Sequence, residues 1–273
     1  MPIRLLALDL DGTILADLHT ISPRTQAAIK GAIERGVYVS IATGREYDIT
    51  HKFVEMLGLT TPTICCQGGL IFNGHTGETI NHDGLSVPLA HQLIDLARAR
   101  RLALHLCLGG SGTYTEFATP FSRQILEEVG GVVVEVSDLK QVVTVPPTKG
   151  LIVHPADEAG ALVTELQATL NGNLSVFRSH TMLIEVTSPT VSKGHALAFL
   201  ADYYGIPQSE VMAIGDQDND VEMIAWAGLG VAMGNASAGA KAAADVIAPP
   251  LSEEGAAWAI EKYILQGNRV AEG

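Results

Sequence analysis

Positive charge is scarce in this chain: 17 Lys and Arg stand against 30 Asp and Glu, for a formal net charge of −13. Nucleic-acid backbones and anionic membrane surfaces are gripped by clustered Lys and Arg, so this balance argues against both as partners. It leaves room for a small anionic substrate, because a bound cation reverses the field locally. Cysteine is scarcer still, with only Cys65, Cys66 and Cys107. An odd number, two of them adjacent in an apolar run and none in a Cys-x-x-Cys knuckle, offers neither a disulfide framework nor a zinc site. The three read as buried thiols of a reducing compartment, and the cytoplasm is the expected location. Long apolar runs are missing too. Asp9 interrupts the N-terminal one too early for a signal peptide, and no other run reaches membrane-spanning length.

Apolar residues in general are plentiful: 47% of the 273 residues are hydrophobic and 17% charged. That is enough to bury a substantial core, in one large domain or two modest ones. Strand and helix signals alternate, the pattern of a parallel sheet with crossover helices. The run from Ile3 to Leu8 predicts a strand, Ser22-Pro23 an N-cap with proline in first helical position, and Gly36 the end of that helix. A second strand is expected over 37–42, a helix over 49–57 stopped by Gly58, and a third strand over 63–66. Residues 70–72 and 78–81 flank Asn73-Gly74, a hairpin signal. After Asp83 the texture changes to a separate α+β unit. Helices are expected near 88–101, 120–128 and 157–170. Strands are expected over 102–108, 113–115, 132–136, 150–154, 174–177 and 182–186. From Ser188-Pro189 the first texture returns, with a helix from Lys193 to Gly205 and strands over 211–215, 229–233 and 245–247. A last helix is expected from about Glu253. The reading is one α/β domain split by an inserted domain.

Chemistry concentrates at expected strand ends, where open α/β sheets bind ligands. Asp9-Leu10-Asp11-Gly12-Thr13 follows the first strand, and two carboxylates that close need a shared cation or proton. An EF-hand loop starting at Asp9 would need Glu where Thr20 stands. Asp216-Gln217-Asp218-Asn219-Asp220 follows the 211–215 strand. As a calcium loop it fails at Val221, the required glycine, and at Ala227, the required glutamate. Hard oxygen ligands from two strand ends suit Mg²⁺, which keeps waters and shares a phosphate. Thr43-Gly44 follows the second strand, where a hydroxyl and open N–H groups hold phosphate oxygens, although Thr-Gly turns are common. Lys193, alone, reads as a surface lysine; its place at the return to the α/β domain suits a phosphate-neutralising role.

Taken in order, strand-Asp-x-Asp-Gly-Thr, strand-Thr-Gly, Lys, and strand-Gly-Asp-x-x-Asn-Asp resemble the haloacid dehalogenase superfamily of phosphohydrolases. The insertion before Lys193 resembles the Cof-type branch with a large α/β cap. Glu185-Val186 before Ser192-Lys193-Gly194, and Ala244-Asp245-Val246 before Glu253-Glu254-Gly255, add to the likeness; Gln67-Gly68-Gly69 departs from the Asn-Gly frequent after the third strand. The resemblance implies a Rossmann-like parallel-sheet core over 1–83 and 189–273, with the cap over 84–188. It implies a Mg²⁺-dependent phosphomonoesterase of small phosphorylated metabolites, sugar phosphates first, working through an aspartyl-phosphate. Asp9 would be the nucleophile and Asp11 the general acid and base. Asp9, the Asp11 carbonyl and Asp216 would hold Mg²⁺. Thr43, Gly44 and Lys193 would bind the phosphoryl group, with Asn219 and Asp220 orienting the lysine or metal waters. Asp218 is left facing solvent. Arg45, Arg178 and His180 are candidate substrate contacts by polarity and position only, and for the last two the surface-residue reading outweighs that of a contact. The expected partner is a small phosphorylated molecule, bound by a monomer or small homo-oligomer. A phosphomutase, and a receiver-like domain that uses aspartyl-phosphate as a signal, are the competing readings.

Overall fold

Leu5–Leu8, each residue buried, forms the first strand of the structure, a computed structural model that describes residues 2–17, 19–109, 112–128 and 130–266. In chain order the elements begin β1 (Leu5–Leu8), α1 (Pro23–Glu34), β2 (Tyr38–Ile41), α2 (Tyr47–Leu57), β3 (Thr63–Cys65), β4 (Leu70–Phe72) and β5 (Thr79–His82). Next come α3 (Val87–Arg100), β6 (Leu104–Cys107), β7 (Thr113–Thr115), α4 (Pro120–Glu128), β8 (Val133–Glu135), α5 (Leu139–Val142), β9 (Lys149–Val153), α6 (Ala156–Leu170), β10 (Ser175–His180) and β11 (Leu183–Thr187). The chain closes with α7 (Lys193–Tyr203), β12 (Val211–Gly215), α8 (Val221–Trp226), β13 (Leu229–Ala232), α9 (Ala238–Ala243), β14 (Val246–Ile247) and α10 (Gly255–Ile260). Of the glycine stretch 109–112, Gly110 and Ser111 lie outside the described residues.

Two compact units result. The first takes in Met1–Thr43, His51–Ile80 and Ser192–Gly273; the second takes in Gly44–Thr50 and Asn81–Val191. The sequence reading places the junctions at 83/84 and 188/189 and has no reason to assign 44–50 to the inserted unit. In the first unit, five strands run parallel in the order β14-β13-β12-β1-β2. An isolated parallel bridge, Ala42 to Ile64, continues this sheet toward β3. β1 is apolar at every position because helices cover both of its faces, as parallel sheets require. Leu6 and Leu8 pack with Ile29 of α1 and Ile260 of α10. Leu5 and Ala7 pack with Leu197 and Leu200 of α7 and Met223 of α8. Ser22 caps α1 as expected, accepting from the Thr25 N–H with Pro23 in the first turn, and Gly36 and Gly58 take positive φ after their helices.

The hairpin signal at Asn73-Gly74 is corrected in detail. β4 and β5 are neighbours, but Asn73 and Gly74 do not make a two-residue turn. Asn73 Oδ1 accepts from the His75 and Thr76 N–H groups, and the Asn73 N–H reaches across to the Glu78 carbonyl. Gly77, with φ of 71°, supplies the left-handed residue. An Asx turn has displaced the tight primed turn.

The second unit is a six-stranded sheet in the order β10-β11-β9-β6-β7-β8, antiparallel except for the β7–β8 pair. Leu104, Leu106, Ile152, Ile184 and Val186 point to one face, against Leu93 and Ile94 of α3 and Leu166 of α6. By the strict alternation of strands, His105, Lys149, Leu151 and Glu185 point to the other. The short helix α5 has no counterpart in the sequence reading, since four residues carry no legible period.

Candidate active site

Register decides what meets at the strand ends. Leu8 pairs with Ile214 on one side and Ile41 on the other, so the next residues in line, Asp9, Gly215 and Ala42, sit side by side. The Asp9 N–H donates to the Ile214 carbonyl at 3.0 Å, and the Ala42 N–H to the Leu8 carbonyl at 2.8 Å. β1 is where the order of the sheet reverses, with β2 on one flank and the later β12 on the other. Such switch points leave a crevice at the carboxyl edge.

Three buried carboxylates converge there. One oxygen each of Asp9, Asp216 and Asp220 lies within 4.8 Å of the others. Lys193 Nζ donates to Asp9 Oδ1 and to Asp220 Oδ1, both at 2.6 Å. A lysine at the first position of a helix opposes the helix dipole by ~0.3–1 kcal/mol, so α7 gains nothing from it. Its ammonium is nearly sealed, at 1% exposure, and only its two carboxylate partners make that tolerable. Asp220 is fully committed: its other oxygen accepts from the Asp216 and Gln217 N–H groups at 2.9 and 3.0 Å. Asp216 accepts from the Thr13 hydroxyl at 3.0 Å and from Gln217 Nε2 at 2.8 Å.

The electrostatics ask for a cation. Burial, and next the Asp220 carboxylate, push Asp9 well above the usual carboxylate range, while Lys193 pulls it back only in part. Burial also raises Asp216, against the hydrogen bond from Gln217. For Lys193, burial by itself would lower the ammonium pKa; Asp220 and Asp9 outweigh it and hold the group above the ordinary lysine range. Three carboxylates and one ammonium leave a formal charge of −2 in a buried cluster. The donors are hard oxygens, the set a small divalent cation takes. The cradle is also tight: a Cβ on Gly12, whose φ is 85°, would fall 2.3 Å from Asp216 Oδ2. Donor chemistry, charge and space therefore fit a divalent cation.

Asp11 is solvent-exposed and is not part of this carboxylate cluster. Thr43 is fully buried two residues after β2; its N–H donates to the Ile64 carbonyl and its own carbonyl accepts from the Gln67 N–H. Gly44 and Arg45 belong to the second unit, where Arg45 is buried. Asn219 donates to Gln67 Oε1 at 2.9 Å. Asp218 is exposed and accepts from the Ser237 hydroxyl, in keeping with a solvent-facing residue. Arg178 is exposed on β10, and the side chain of His180 lies outside the described residues.

The sequence assigns no role to Thr13, Gln217 or Gln67. Thr13 was visible in the Asp-Gly-Thr signature but has no meaning until Asp216 is known to lie opposite it. Gln67 carries the departure from Asn-Gly. It stands at φ 62°, a left-handed position that Asn adopts far more readily than Gln. Gln67 is buried there and holds Asn219. Among the described residues no helix is long and apolar enough to cross a membrane.

Comparison with known proteins agrees with this geometry. Residues 6–260 match the family of haloacid dehalogenase-like hydrolases. A 5-amino-6-(5-phospho-D-ribitylamino)uracil phosphatase of Bacillus subtilis is 31% identical over 264 residues, 96% of each chain. An HMP-PP phosphatase of Serratia proteamaculans is 30% identical over 233 residues, 85% of this chain and 84% of that one. The crystal structure of a haloacid dehalogenase-like hydrolase from Bacteroides thetaiotaomicron superposes with a TM-score of 0.86 at 31% identity, covering 95% of this chain and 99% of that one. With its acidic triad and buried lysine at the carboxyl edge of a parallel sheet, the chain belongs to the haloacid dehalogenase-like hydrolases and is a phosphatase.

Proposed function

We propose that the protein is a Mg²⁺-dependent phosphomonoesterase of small phosphorylated metabolites, sugar phosphates foremost, that works through an aspartyl-phosphate on Asp9. The observation that carries this reading is the pairing of Asp9 with Lys193 at 2.6 Å inside a buried, net-negative cluster. Asp9 attacks phosphorus in line, forming its Oδ–P bond as the ester P–O bond breaks. Asp11 gives a proton to the departing alkoxide, takes one from the water that then attacks phosphorus, and Asp9 leaves as free carboxylate. Asp11 is exposed, open to the leaving group and then to the attacking water, and the proton it takes from that water restores the acid for the next turnover. Thr43, the Gly44 turn and Lys193 bind the phosphoryl oxygens. Asp220 holds Lys193, and Asn219 packs this edge through Gln67. The Asp9 and Asp216 carboxylates and the Asp11 carbonyl would hold Mg²⁺, which when bound separates Asp9 from the incoming phosphate charge and stabilises charge in the transition state.

The inserted unit would act as a cap and set selectivity, with Arg45, Arg178 and His180 as candidate contacts. The Bacillus subtilis relative is named for a phosphorylated ribityl compound, an open-chain sugar alcohol, which supports polyol and sugar phosphates as the first class to try. Three buried cysteine thiols support a reducing, cytoplasmic setting.

The test is phosphate release from p-nitrophenyl phosphate and a panel of sugar phosphates, with Mg²⁺ and with EDTA. Wild type should release phosphate only with metal, and Asp9→Asn should lose turnover under all conditions, because a neutral amide cannot form the acyl phosphate. Near-normal activity in Asp9→Asn would sink the mechanism.

A further inference from the structure

Gly12 is the soft joint of the acidic turn after β1. Space forces glycine there, since a Cβ would fall 2.3 Å from Asp216 Oδ2, and its φ of 85° is one that glycine enters without penalty. Glycine brings backbone freedom with it. On one side of the joint stands Asp11, with the proton and cation tasks proposed above. On the other the Thr13 hydroxyl donates to Asp216. Rotation at Gly12 would turn one against the other, so the site needs a restraint at this peptide.

Asn235, three residues after β13, supplies it. Its Nδ2 donates to the Gly12 carbonyl at 2.9 Å, and its Oδ1 accepts from the Leu251 N–H at 2.8 Å. These partners settle which way the amide faces. A carbonyl only accepts and a backbone N–H only donates, so the turned-over amide would set oxygen on oxygen and N–H on N–H. The side chain is thus held by backbone at both ends although the residue is exposed.

The same segment grips the other acidic strand end. The Met233 N–H donates to the Gly215 carbonyl at 3.0 Å, and the Ser237 N–H to the Asp216 carbonyl at 2.8 Å. Residues 233–237 therefore hold the end of β12 through main chain and the turn after β1 through one side chain. These residues, with Gly12 and Leu251, all lie in the first compact unit. The main-chain bonds survive any side chain, whereas the link to Gly12 needs a donor with an acceptor beside it. Aspartate has the same shape and lacks the donor.

We infer that Asn235 is a positioning residue for the acidic site: by fixing the Gly12–Thr13 peptide between the two strand ends, it holds the Asp11 turn in register with Asp216. The inference rests on the phosphatase reading above and deepens it by naming what aligns the acid/base residue with the cation ligands.

The experiment measures Mg²⁺ binding to the substrate-free protein by titration calorimetry, and kcat and KM for p-nitrophenyl phosphate at saturating Mg²⁺. The variants are Asn235→Ala, Asn235→Asp and, as a purely structural comparison, Ser22→Ala, which strips the cap of α1. Asn235→Ala leaves two backbone groups at an exposed position to water and should fold. It should bind Mg²⁺ about fivefold more weakly, the factor that loss of an ordinary hydrogen bond gives. Its kcat should fall about tenfold, a fraction of what a well-placed general acid contributes, while KM stays near wild type. Asn235→Asp keeps the acceptor for Leu251 and sets an oxygen against the Gly12 carbonyl. Its added charge acts on the cation directly, so the readout is kcat, which should fall at least as far. Ser22→Ala should lower thermal stability with Mg²⁺ affinity and kcat unmoved. Wild-type Mg²⁺ affinity and kcat in Asn235→Ala would overturn the inference and leave the phosphatase reading intact. Equal losses in Ser22→Ala would overturn it too, by showing that loosened packing is enough. A wild type that binds Mg²⁺ but releases no phosphate from any ester would instead remove the phosphatase reading.

Discussion

Thr13 shows how much of this site is carried by single hydrogen bonds. Its fully buried hydroxyl donates to Asp216 Oδ1, on a carboxylate of the acidic cluster. Thr13→Val keeps the shape and removes the donor, leaving Asp216 freer to rotate and harder to ionise. A hydrogen bond to a carboxylate worth about 1 kcal/mol corresponds to roughly fivefold in the metal half-activation concentration, with kcat at saturating metal little changed. A metal titration of the variant checks this, and an unaltered curve would show that Asp216 needs no such support. At this scale the sequence spoke clearly for Asp9, Asp216 and Lys193, because each stands at a strand end or helix start with a recognisable neighbour. It assigned no task to Thr13 or Gln67, whose partners lie far away along the chain, Asp216 at 203 residues and Asn219 at 152, nor to Gln217, which bonds its own neighbour Asp216 through a turn that no period reveals.

Among the elements, β6 offers a pH test. His105 is buried on the strand, within 3.2 Å of Ser122 Oγ, whose own proton is directed to the Thr119 carbonyl. The imidazole therefore donates from Nε2 and leaves Nδ1 as a buried acceptor without a partner among the described residues. A bare acceptor is better tolerated than a bare N–H, and a second proton there would be a buried, unpaired charge. Burial, with the Arg123 charge adding to it, pushes the histidine down to about 4. The unfolded chain binds this proton near the ordinary value of 6.5 while the folded chain refuses it until about 4. Stability thus rises with pH across that window and falls as the pH drops through it, by on the order of 3 kcal/mol. His105→Gln removes this contribution, so the stability difference between variant and wild type should shift by that order between pH 7 and pH 4 in denaturant titrations. A difference that does not move with pH would show that the imidazole is solvated. The strand itself was legible as an apolar run; the isolation of its histidine was not, because that depends on α4 packing over the face that alternation assigns to His105.

For the whole molecule, the two units own separate cores, so a ligand of one need not stabilise the other. The cation site is built entirely within the first unit. Mg²⁺ at a hundred times its Kd should stabilise that unit by about 2.7 kcal/mol. Calorimetry should then show one component moving upward by several degrees and the other staying, with EDTA reversing the shift and Asp216→Ala abolishing it. A single transition moving as a whole would mean that the units unfold together. The sequence by itself determined the α/β class, the strand ends that carry acid, and the inserted unit, because local periodicity and turn chemistry act within a few residues. Only the tertiary structure decided that Asp9, Asp216 and Asp220 share one cage with Lys193, that 44–50 joins the inserted unit, and that Asn235 grips the Gly12 carbonyl. Those facts depend on strand register and on which face each side chain takes, quantities that distant segments settle jointly and that no window of sequence contains.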